Sequence, residues 1–466
     1  MSLTALSPLD GRYRSKVQAL GDYFSEFALN RYRVMVEVEV FTAFLGAIHG
    51  DLNRFGPDAF ARLRALYEEF DAVDAEEIAQ IERRTNHDMK AVEYYLKERV
   101  RAIPGLASEV EFVHFGLTSE DVNSLAYACM LRDATRDLVL PALLDVLQAI
   151  RDLAARNKRV PMLARTHGQS ASPTTLGKEM AVFVHRLLPE LRALHRFQLT
   201  GKLNGATGTF GALAVAYPDV DWIAFSEQVI RRLDLVPNLI TTQIEPHDRL
   251  AALADHFRRI QNILLDFDQD MWRYISDGYF RQKPVPGEVG SSAMPHKVNP
   301  IDFENSEGNL GLANALFAFF GDKLTKSRLQ RDLSDSTVLR NLGVAFGHAL
   351  LAYQSVVKGI RRLEPDVARM AADLDAHPEV LAEAYQTVLR SKGHALPYEK
   401  LSGLTRGQAV TLESLHAFVR ELDLDAETRA RLLELTPATY VGLALPLTER
   451  VLTDADELLL HLRHDH

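Results

Sequence analysis

The chain has 466 residues, 47% of them hydrophobic, so it is long enough to bury a large core. Its 53 Lys and Arg residues against 63 Asp and Glu residues give a net charge of −10, which argues against nucleic acid or an anionic membrane as a partner. The single cysteine, Cys129, lies in an apolar stretch, so we expect a small core residue in a reducing, cytoplasmic compartment. We find no signal-peptide pattern and no apolar run near the ~18 residues that span a bilayer, and we expect a soluble, unprocessed protein.

Residues 1–110 predict an N-terminal helical domain, and a Pro-Gly turn signal lies near its end. The turn-rich opening carries Arg12 and Tyr13, and helical spacing follows it. Three polar residues then cluster just before a strongly helix-forming segment: Asn86, His87 and Asp88. Because Asn and Asp satisfy the free amides of a helix N-terminus, we favour a helix cap there over a catalytic group.

Residues 111–362 predict a central bundle of long helices. Four segments repeat apolar residues at helical spacing, a pattern typical of core-facing stripes rather than cofactor sites. The stripes are Leu131, Leu138, Leu143, Leu147 and Ile150; Leu176, Met180, Phe183, Leu187, Leu191 and Leu194; Ile260, Ile263, Leu264, Phe267, Met271 and Ile275; and Leu342, Phe346, Ala349, Tyr353, Val356 and Ile360. We expect Pro141 to kink the first of these helices rather than to end it.

The fold class that these patterns predict is all-α, in three segments with the long bundle in the centre. Strand-like alternation is scarce, so we expect any sheet to be minor or absent. Shorter helical patterns from 363 to 466 predict a C-terminal helical domain, for which we favour a folded cap on the bundle.

A glycine-bounded stretch at 287–311 contains most of the polar residue types that catalysis uses. Glycine and proline break regular structure in its first half and predict a loop at 287–299 whose amides can face a ligand. The polar residues on that loop include Ser291, Ser292, His296, Lys297 and Asn299. Lys297 and the loop amides can hold a carboxylate while negative charge builds up on it. Ser291 or Ser292 can act as a nucleophile or as a base, although a serine base needs a nearby cation and a desolvated site.

Other polar segments join the predicted helices. Thr118 and Ser119 precede an apolar-periodic run together with two carboxylates, which is the composition of a helix N-terminus and can bind an anion. His167 lies among hydroxyls, an amide and a glycine. Imidazole can carry a transferable proton near neutral pH, but a lone histidine is more often structural. Gln243 stands in a further polar segment ahead of another helix.

A basic group near residue 330 interleaves arginines with hydroxyls. Its arginines are Arg328, Arg331 and Arg340, and its hydroxyls are Ser334, Ser336 and Thr337. Arginine with hydroxyl is the usual phosphate-binding combination, yet the same string fits a salt-bridged helix start with Asp332 and Asp335. Spacing alone does not decide between the two interpretations.

The sequence lacks the common metal and nucleotide-loop motifs. There is no HExxH, no GxxxxGK[ST] and no GxSxG, and the glycines at 205, 208 and 211 do not match a dinucleotide fingerprint. The Asp-rich segment 266–270 fails as a calcium loop, so we interpret its aspartates as the wet face of a helix. We therefore expect neither a metal nor a cofactor.

Several motifs together resemble one known family. The stretch SSAMPHKVNPIDFEN resembles the signature loop of the fumarase/aspartase superfamily of β-elimination lyases. Further segments are similar to the bacterial branch that acts on succinyl-purine nucleotides: DGRY at 10, TNHD at 85, TSED at 118, RTHGQ at 165, TTQIEPHD at 241 and QRDLSDSTVLRNLG at 330. The resemblance covers nearly the whole chain and is least distinctive in the C-terminal segment.

The resemblance implies cleavage of a C–N bond in two succinyl-purine substrates, with release of fumarate. It implies that His167 protonates the departing nitrogen as general acid. Ser291 would remove the proton from the carbon next to the succinyl carboxylate, and the choice of Ser291 over Ser292 rests on the family pattern. Closure of the loop would bring that base in and exclude water.

The resemblance also implies roles in substrate binding. The residues implied to hold the succinyl carboxylates are Thr118, Ser119, Gln243, Lys297 and Asn299, and Ser292 is counted with the substrate-binding residues. Those implied to grip the phosphate are Arg12, Tyr13, Arg331, Ser336 and Arg340, with Thr337 close by. Asn86, His87 and Asp88 would line the nucleotide site. His87 and His114 are candidates for positioning the nucleotide or tuning His167.

A homotetramer is the assembly that the resemblance implies, with sites built from loops of three subunits. Two alternatives stay open. The first is a sister lyase acting on argininosuccinate or on fumarate and malate, against which the phosphate-type segment near residue 330 argues. The second is a non-catalytic scaffold that keeps the bundle, against which the intact His167, Ser291 and Lys297 argue.

Overall fold

The computed structural model describes residues 3–284, 287, 294, 297–394 and 410–464, and within them the chain is mostly helical. The all-α prediction is therefore confirmed. The chain divides into two compact units, each assembled from separate stretches of sequence. The first unit comprises Met1–Ala142, Ala193–Asn262 and Gly308–Ala352; the second comprises Leu143–Arg192, Ile263–Glu307 and Tyr353–His466. The division into domains at 110 and 362 stays a prediction.

The helices of the described residues are numbered in chain order. They are α1 Arg14–Val17, α2 Gly21–Phe24, α3 Glu26–His49, α4 Ala59–Glu68, α5 Ala72–Thr85, α6 Asp88–Ala102, α7 Ser119–Ala134, α8 Leu140–Arg156, α9 Leu176–His195, α10 Gly211–Ala216, α11 Trp222–Arg232, α12 Asp248–Ser276, α13 Ile301–Leu324, α14 Ser334–Leu339, α15 Leu342–Arg362, α16 Val367–Asp375, α17 Ala382–Ser391, α18 Leu412–Glu421, α19 Ala426–Glu434 and α20 Ala444–His464. Short 3₁₀ segments lie at Gln18–Leu20, Leu52–Phe55, Ala107–Phe112 and Pro378–Leu381.

Helices α3 to α6 begin and end at residues whose chemistry suits those positions. Ser25 precedes α3 and accepts a hydrogen bond from the Ala28 amide, while Gly50, at φ 72°, ends that helix. Asp71 and Asp74 form a reciprocal capping box at the start of α5. The apolar faces of these helices share one core cluster, which includes Val34, Phe41, Ile78, Leu96 and Val100. That core includes α6, at whose start several candidate site residues lie, and it extends to Val113, next to His114.

The four predicted apolar stripes are buried almost throughout. Every member is less than 9% exposed except Leu138 and Ile275, which are half-buried. A π-helical segment, Thr135–Val139, connects α7 to α8, and Pro141 is the second residue of α8. Proline cannot donate the backbone hydrogen bond of a regular α-helix, and a π-turn absorbs that interruption. The helix therefore continues past Pro141, as expected, and the kink stays a prediction.

Three small two-stranded sheets accompany the helices in the described residues. In the first, β1 Pro161–Thr166 pairs antiparallel with β2 Gln169–Thr175. In the second, β3 Thr200–Gly201 pairs parallel with β4 Val236–Pro237, and in the third, β5 Phe280–Gln282 pairs antiparallel with β6 Leu363–Pro365. The sheet content is minor, as predicted. The polar segment around His167, which is predicted only to connect two helices, instead forms the hairpin of β1 and β2.

The Asp-rich segment 266–270 on α12 requires a correction. Asp266 is exposed, whereas Asp268 is only 1% exposed. Residues two positions apart point to nearly opposite sides of a helix, so these two aspartates cannot share one wet face. Neither oxygen of Asp268 makes a hydrogen bond of good geometry with the described residues, although Ser306 lies nearby. Burial raises the pKa of Asp268 well above its ordinary value and so favours the neutral acid in the core.

Two further predictions concern local burial and membrane contact. Cys129 is fully buried in α7, and burial raises the pKa of its thiol to about 12, so it is a core residue as expected. A separate apolar cluster joins α17, α18 and α19 through Tyr385, Leu415 and Leu432, among others. Among the described helices, none is long and apolar enough to cross a membrane.

Candidate active site

The candidate site residues fall into two groups, one in each compact unit. The first unit holds Arg12, Tyr13, Asn86, His87, Asp88, His114, Thr118, Ser119, Gln243, Arg331, Ser336, Thr337 and Arg340. The second unit holds His167, Lys297 and Asn299. The two serines proposed as base, Ser291 and Ser292, lie outside the described residues.

The Asn-His-Asp cluster forms the junction between α5 and α6. Asn86 adopts the left-handed conformation at φ 52° and ends α5, because asparagine tolerates that conformation better than most residues. His87 is the N-cap of α6, and its Nδ1 accepts a hydrogen bond from the Lys90 amide at 3.2 Å. The cap interpretation is thus confirmed, but the capping side chain is His87 rather than Asn86 or Asp88. The His87 ring remains exposed.

Asp88, the first residue of α6, lies between two arginines. Its Oδ2 accepts hydrogen bonds from Arg33 at 2.7 Å and from Arg340 at 3.1 Å. Although burial raises the pKa of Asp88, the charges of both arginines and its hydrogen bonds lower it to about 2. Arg33 is only 2% exposed and also donates to Asn123 at 2.9 Å. The carboxylate is therefore ionised at neutral pH and fixes the direction of Arg340.

Arg340 also contacts two other oxygen atoms. Its Nε donates to Oε1 of Glu26 at 2.9 Å, and its Nη1 donates to Oγ of Ser336 at 2.5 Å. Ser336 lies on α14, four residues before Arg340, so one turn of helix brings the hydroxyl and the guanidinium together. Thr337, the next residue, is exposed. The arrangement offers a cation and a hydroxyl side by side, which suits a phosphate oxygen.

Thr118 and Ser119 form the start of α7, as the sequence predicts. Oδ2 of Asp121 accepts a hydrogen bond from the Thr118 amide at 2.8 Å. Both residues are half-buried, whereas Glu120 and Asp121 are buried at 3% and 0% exposure. The hydroxyls of Thr118 and Ser119 thus stand at a helix N-terminus, where the helix dipole favours an anion.

Arg331 connects this helix start to Gln243. Its Nη2 donates to Oε1 of Glu120 at 2.9 Å, and its Nη1 donates to Oε1 of Gln243 at 3.1 Å. Gln243 in turn donates from Nε2 to the Ala206 carbonyl at 3.1 Å. The structure therefore groups Arg331 with Gln243 and Glu120, and groups Arg340 with Asp88 and Ser336.

The salt-bridge interpretation of the arginine segment describes part of it, and the phosphate-binding interpretation stays a prediction. Arg328 pairs with Asp332 at 3.4 Å, as a salt-bridged helix start requires. Arg331 and Arg340 instead reach carboxylates far away in sequence. Of the three arginines, only Arg328 pairs with a carboxylate of the segment itself, while Arg340 donates to the hydroxyl of Ser336 within it.

Arg12 and Tyr13 stand apart from these groups within the described residues. The Arg12 side chain is exposed, and its guanidinium carbon lies 5.9 Å from the centre of the Tyr13 ring. Neither side chain hydrogen-bonds to Arg331 or Arg340 across the described chain. The structure leaves them at the surface ahead of α1.

His114 has a short hydrogen bond to a buried acid. Its Nδ1 lies 2.5 Å from Oε1 of Glu37, which is 1% exposed, and its backbone adopts φ 58°. Burial lowers the pKa of His114, but the charge and hydrogen bond of Glu37, with the charges of Glu93 and Asp121, outweigh burial and raise it. His114 therefore carries a positive charge more readily than an ordinary histidine.

His167 lies at the tip of the hairpin formed by β1 and β2. His167 and Gly168 have φ angles of 54° and 74°, which match the tight turn that connects two antiparallel strands. The imidazole is exposed, and Arg165 on the same hairpin pairs with Asp373 at 2.8 Å. The strands pair up to Thr166 and Gln169, so backbone hydrogen bonds on both sides of the turn fix the position of His167.

The described part of the signature loop supplies Lys297 and Asn299. The Lys297 side chain is exposed and Asn299 is half-buried just before α13. Gln282 in β5 donates a hydrogen bond from Nε2 to the Val298 carbonyl at 3.0 Å, which anchors the C-terminal end of the loop. In the described residues, no group of three or more His, Cys, Asp or Glu side chains is placed to hold a metal ion.

Several buried residues around the site escaped the sequence interpretation. Glu120, Asp121, Lys202, Glu37 and Arg33 are all less than 9% exposed, and they hold the candidate residues in place. Glu120 and Asp121 were visible as acids at a predicted helix start, where an exposed position is usual. No local pattern distinguishes a buried lysine such as Lys202 from a surface lysine.

Two family models together match most of the chain. The sequence model of a family described as Lyase matches residues 11–314, and that described as Adenylosuccinate lyase C-terminal matches residues 327–441. Adenylosuccinate lyase from Escherichia coli K12 is 49% identical over 97% of this chain and 99% of its own length. The enzymes of that name from Vibrio cholerae and Dictyostelium discoideum are 49% and 45% identical, over 97% and 95% of this chain and 99% and 97% of theirs.

Solved structures with this fold include two enzymes of low sequence identity. The 3-carboxy-cis,cis-muconate lactonizing enzyme from Pseudomonas putida has a TM-score of 0.71 at 22% identity, covering 94% of this chain and 97% of that one. A fumarate lyase from Mesorhizobium sp. BNC1 has a TM-score of 0.72 at 19% identity, with the same coverage. These likenesses show the fold alone.

The helical fold and the Lyase match place the chain among the lyases of the fumarase/aspartase superfamily. Within that superfamily, the identity over nearly the full length shows that the chain belongs to the adenylosuccinate lyase family.

Proposed function

We propose that this chain cleaves the C–N bond of adenylosuccinate to AMP and fumarate, and that it cleaves the succinylcarboxamide imidazole ribotide, SAICAR, to AICAR and fumarate in purine biosynthesis. The similarity to adenylosuccinate lyases along 97% of the chain carries the proposal. Each substrate has a phosphate at one end and two carboxylates at the other. The site must therefore bind anions at both ends.

The phosphate end is assigned to the segment around α14. Arg340 and Ser336 already lie side by side, and a phosphate oxygen can accept hydrogen bonds from both. Arg331, Arg12 and Tyr13 complete the proposed phosphate group, with Thr337 nearby. Glu26 and Asp88 hold Arg340, so phosphate binding exchanges at least one carboxylate contact for a phosphate contact.

The carboxylate end is assigned to the start of α7 and to the signature loop. Thr118 and Ser119 present hydroxyls at a helix N-terminus, and Gln243 adds an amide donor. From the loop, Lys297 and Asn299 supply a cation and a further amide. These groups stabilise the negative charge that builds up on the carboxylate when its neighbouring carbon loses a proton. Asn86, His87 and Asp88 line the nucleotide between the two ends.

The elimination needs one base and one acid. Ser291 removes the proton from the carbon next to the succinyl carboxylate, and the electron pair left on that carbon forms the double bond of fumarate. The C–N bond breaks, and His167 donates its proton to the departing nitrogen. Ser292, adjacent to Ser291, is kept among the substrate-binding residues. His114 and His87 are assigned to positioning the nucleotide or tuning His167.

A homotetramer with shared sites is proposed as the working assembly, in the cytoplasm. An exposed stripe on α13 supports the assembly: Leu312 and Phe319 are 54% and 51% exposed, and Gly308, Gly311 and Ala315 lie on the same side. Contiguous exposed apolar surface of this kind marks protein interfaces. The single, buried Cys129 is consistent with a reducing compartment.

Turnover of purified protein tests the function. With adenylosuccinate we expect fumarate and AMP in equal amounts, and with SAICAR we expect fumarate and AICAR. Argininosuccinate and malate serve as rival substrates, for which we expect no turnover above background. A folded protein that prefers a rival, or that turns over none of the four, overturns the proposal in favour of the sister lyase or the scaffold.

A further inference from the structure

Lys202 and Asp121 form an ion pair that is completely buried. Lys202 Nζ lies 2.8 Å from Asp121 Oδ1, and both side chains have 0% exposure. Removing two charges from water costs about as much as their attraction returns, so such a pair adds little net stability compared with apolar residues. The pair instead connects α7, which carries Asp121, to the segment after β3, which carries Lys202, in a fixed geometry.

Asp121 ties the start of α7 to the loop that follows β3. Its Oδ2 accepts hydrogen bonds from the amides of Thr118 at 2.8 Å and Gly205 at 3.2 Å. Its Oδ1 accepts from the amides of Asn204 at 2.9 Å and Gly205 at 3.1 Å. One carboxylate therefore binds backbone on both sides.

Lys202 closes the same connection from the loop side. Besides its contact with Asp121, Nζ donates to the Gly205 carbonyl at 3.0 Å. Both the amide and the carbonyl of Gly205 are thus held by the buried pair. Gly205 has φ 83°, in the left-handed region that favours glycine, so the turn it makes is defined by the residue as well as by its partners.

The loop then holds Gln243. The Ala206 carbonyl accepts a hydrogen bond from Gln243 Nε2 at 3.1 Å. Asn204 and Thr241 exchange side-chain hydrogen bonds at 2.9 and 3.1 Å, and Asn204 is 1% exposed. Thr118 is therefore bonded directly to the ion pair, and Gln243 is bonded to Ala206, the residue that follows Gly205.

We propose that Lys202 and Asp121 are positioning residues that set the spacing between Thr118 with Ser119 and Gln243, and thereby the affinity of the site for a dicarboxylate. The inference rests on the proposed function, because that function assigns these three residues to the succinyl carboxylates. Neither Lys202 nor Asp121 touches the ligand. The pair acts through the backbone of α7 and through the loop at 204–206.

The two reaction products separate this role from a general loss of structure. Fumarate occupies only the carboxylate end, and AMP occupies only the nucleotide and phosphate end. In Lys202→Met and Asp121→Asn we expect the inhibition constant for fumarate to rise about tenfold or more, the change that about 1.4 kcal/mol produces. We expect the inhibition constant for AMP to change less than about twofold. The Lys202→Met, Asp121→Asn double variant should lose no more than either single variant, because both residues serve one connection.

Two further variants control for folding. Arg132→Met removes a partly buried cation that contacts Asp133 at 2.8 Å near the other end of α7, so we expect a lower melting temperature with both inhibition constants unchanged. Asn204→Ala leaves the ion pair intact but removes the side-chain contact of the loop with Thr241, so we expect a selective loss of fumarate affinity in a stable protein.

The positioning role is overturned by either of two results. One is equal weakening of fumarate and AMP binding. The other is unchanged fumarate binding in folded Lys202→Met, Asp121→Asn and Asn204→Ala variants. Turnover of adenylosuccinate by the wild-type protein is measured in the same series. Failure of the proposed function appears as missing turnover in the wild type, whereas failure of the positioning role appears only in the variants.

Discussion

Arg340 Nη2 lies 3.1 Å from Asp88 Oδ2, although 252 residues of sequence separate them. The same oxygen accepts a hydrogen bond from the buried Arg33 at 2.7 Å, so Asp88 is the shared anion of two arginines. The carboxylate of Asp88 on α6 thereby determines the direction of the Arg340 side chain, which follows α14. In the proposed function, this contact prepares Arg340 for the phosphate.

Asp88→Asn should destabilise the protein because it leaves Arg33 buried without a countercharge. We expect a loss of about 2 kcal/mol in the free energy of unfolding at pH 7, below the value for fully buried pairs because Asp88 is 29% exposed. The folded pKa of about 2 lies below the ordinary value of 3.8, so this stability is present above that value and is lost as pH falls through about 2. Urea unfolding at pH 7 and pH 3 measures the difference between wild type and variant.

Glu76→Gln is the matched control for Asp88. Glu76 also pairs with an arginine, at 2.6 Å from Arg83, but the two side chains are 58% and 62% exposed. Exposed ion pairs contribute little, so we expect almost no change in the urea midpoint. A control that destabilises as much as Asp88→Asn does would contradict the role of burial.

Glu37→Gln should lower the pKa of His114. The charge and hydrogen bond of Glu37 oppose the effect of burial, so their loss lets burial prevail. In the wild type the folded pKa is raised above the ordinary 6.5, so the ion pair contributes stability that is complete below that value and is lost as pH rises through the folded pKa. We expect the His114 ring to titrate above 6.5 in the wild type and below it in the variant, as measured by NMR.

Glu39→Gln is the control on the same helix. Glu39 accepts a hydrogen bond from the Tyr67 hydroxyl at 2.9 Å rather than from a histidine. The His114 titration should therefore be the same as in the wild type. An equal shift in both variants would mean that the effect comes from net charge and not from the contact between His114 and Glu37.

Helical periodicity predicted most of the fold because it is a local property. The stripe on α15, for example, is buried at every member from Leu342 to Ile360. Local spacing also implies that Asp266 and Asp268 face different sides of α12. The acid-rich composition of the segment led instead to the wrong prediction that its aspartates share one solvent-exposed face. The hairpin that supports His167 was missed because its strands, rich in small and hydroxyl residues, lack clear apolar alternation.

Candidate residues were predictable as residue types, whereas their partners were not. The sequence suggested a phosphate-binding role for Arg331 and Arg340, yet it could not indicate that Glu120 and Asp88 bind them. Those pairings depend on how helices distant in sequence dock against one another. The burial of Lys202 has the same origin, since nothing in the neighbouring sequence distinguishes it.

Asp268→Leu should stabilise the protein, because it replaces a buried carboxyl group lacking good hydrogen bonds by an apolar side chain. We expect a gain of about 1–3 kcal/mol at pH 7. The folded pKa of Asp268 is raised, so wild-type stability is greatest below the ordinary value of 3.8 and declines as pH rises toward the folded pKa. The gain should therefore be larger at pH 8 than at pH 5 in thermal unfolding. Asp268→Asn keeps a polar side chain but cannot ionise, so its stability relative to the wild type should change with pH as that of Asp268→Leu does. A difference from the wild type that is independent of pH in both variants would contradict a buried acid at this position.

Leu312→Asp combined with Phe319→Asp should dissociate the proposed tetramer. Both side chains are exposed on α13, and a carboxylate in each place cannot be buried against an apolar partner at low cost. We expect sedimentation to show a smaller species and turnover to fall at least tenfold, because shared sites become incomplete. Val73→Asp is the control, since Val73 is 70% exposed near the start of α5. A tetramer that survives the double substitution would place the interface elsewhere.

His167→Ala and Ser291→Ala should each abolish turnover, because one removes the proposed acid and the other the proposed base. Binding of AMP and fumarate should remain within about threefold of the wild type, since neither residue is assigned to hold the products. Strong residual activity in either variant would remove that residue from the mechanism, and Ser292→Ala in parallel distinguishes the two serines.

Mixing these two inactive variants tests whether sites are shared. If His167 and Ser291 of one site come from different subunits, random exchange gives about a quarter of the sites both native residues, and about a quarter of the wild-type activity returns. If both come from the same subunit, every site keeps one defect and no activity returns. Unfolding and refolding the mixture ensures exchange, and each variant refolded alone is the control. Recovery near a quarter in the mixture alone would support an exposed hairpin tip that completes the site of a neighbouring subunit.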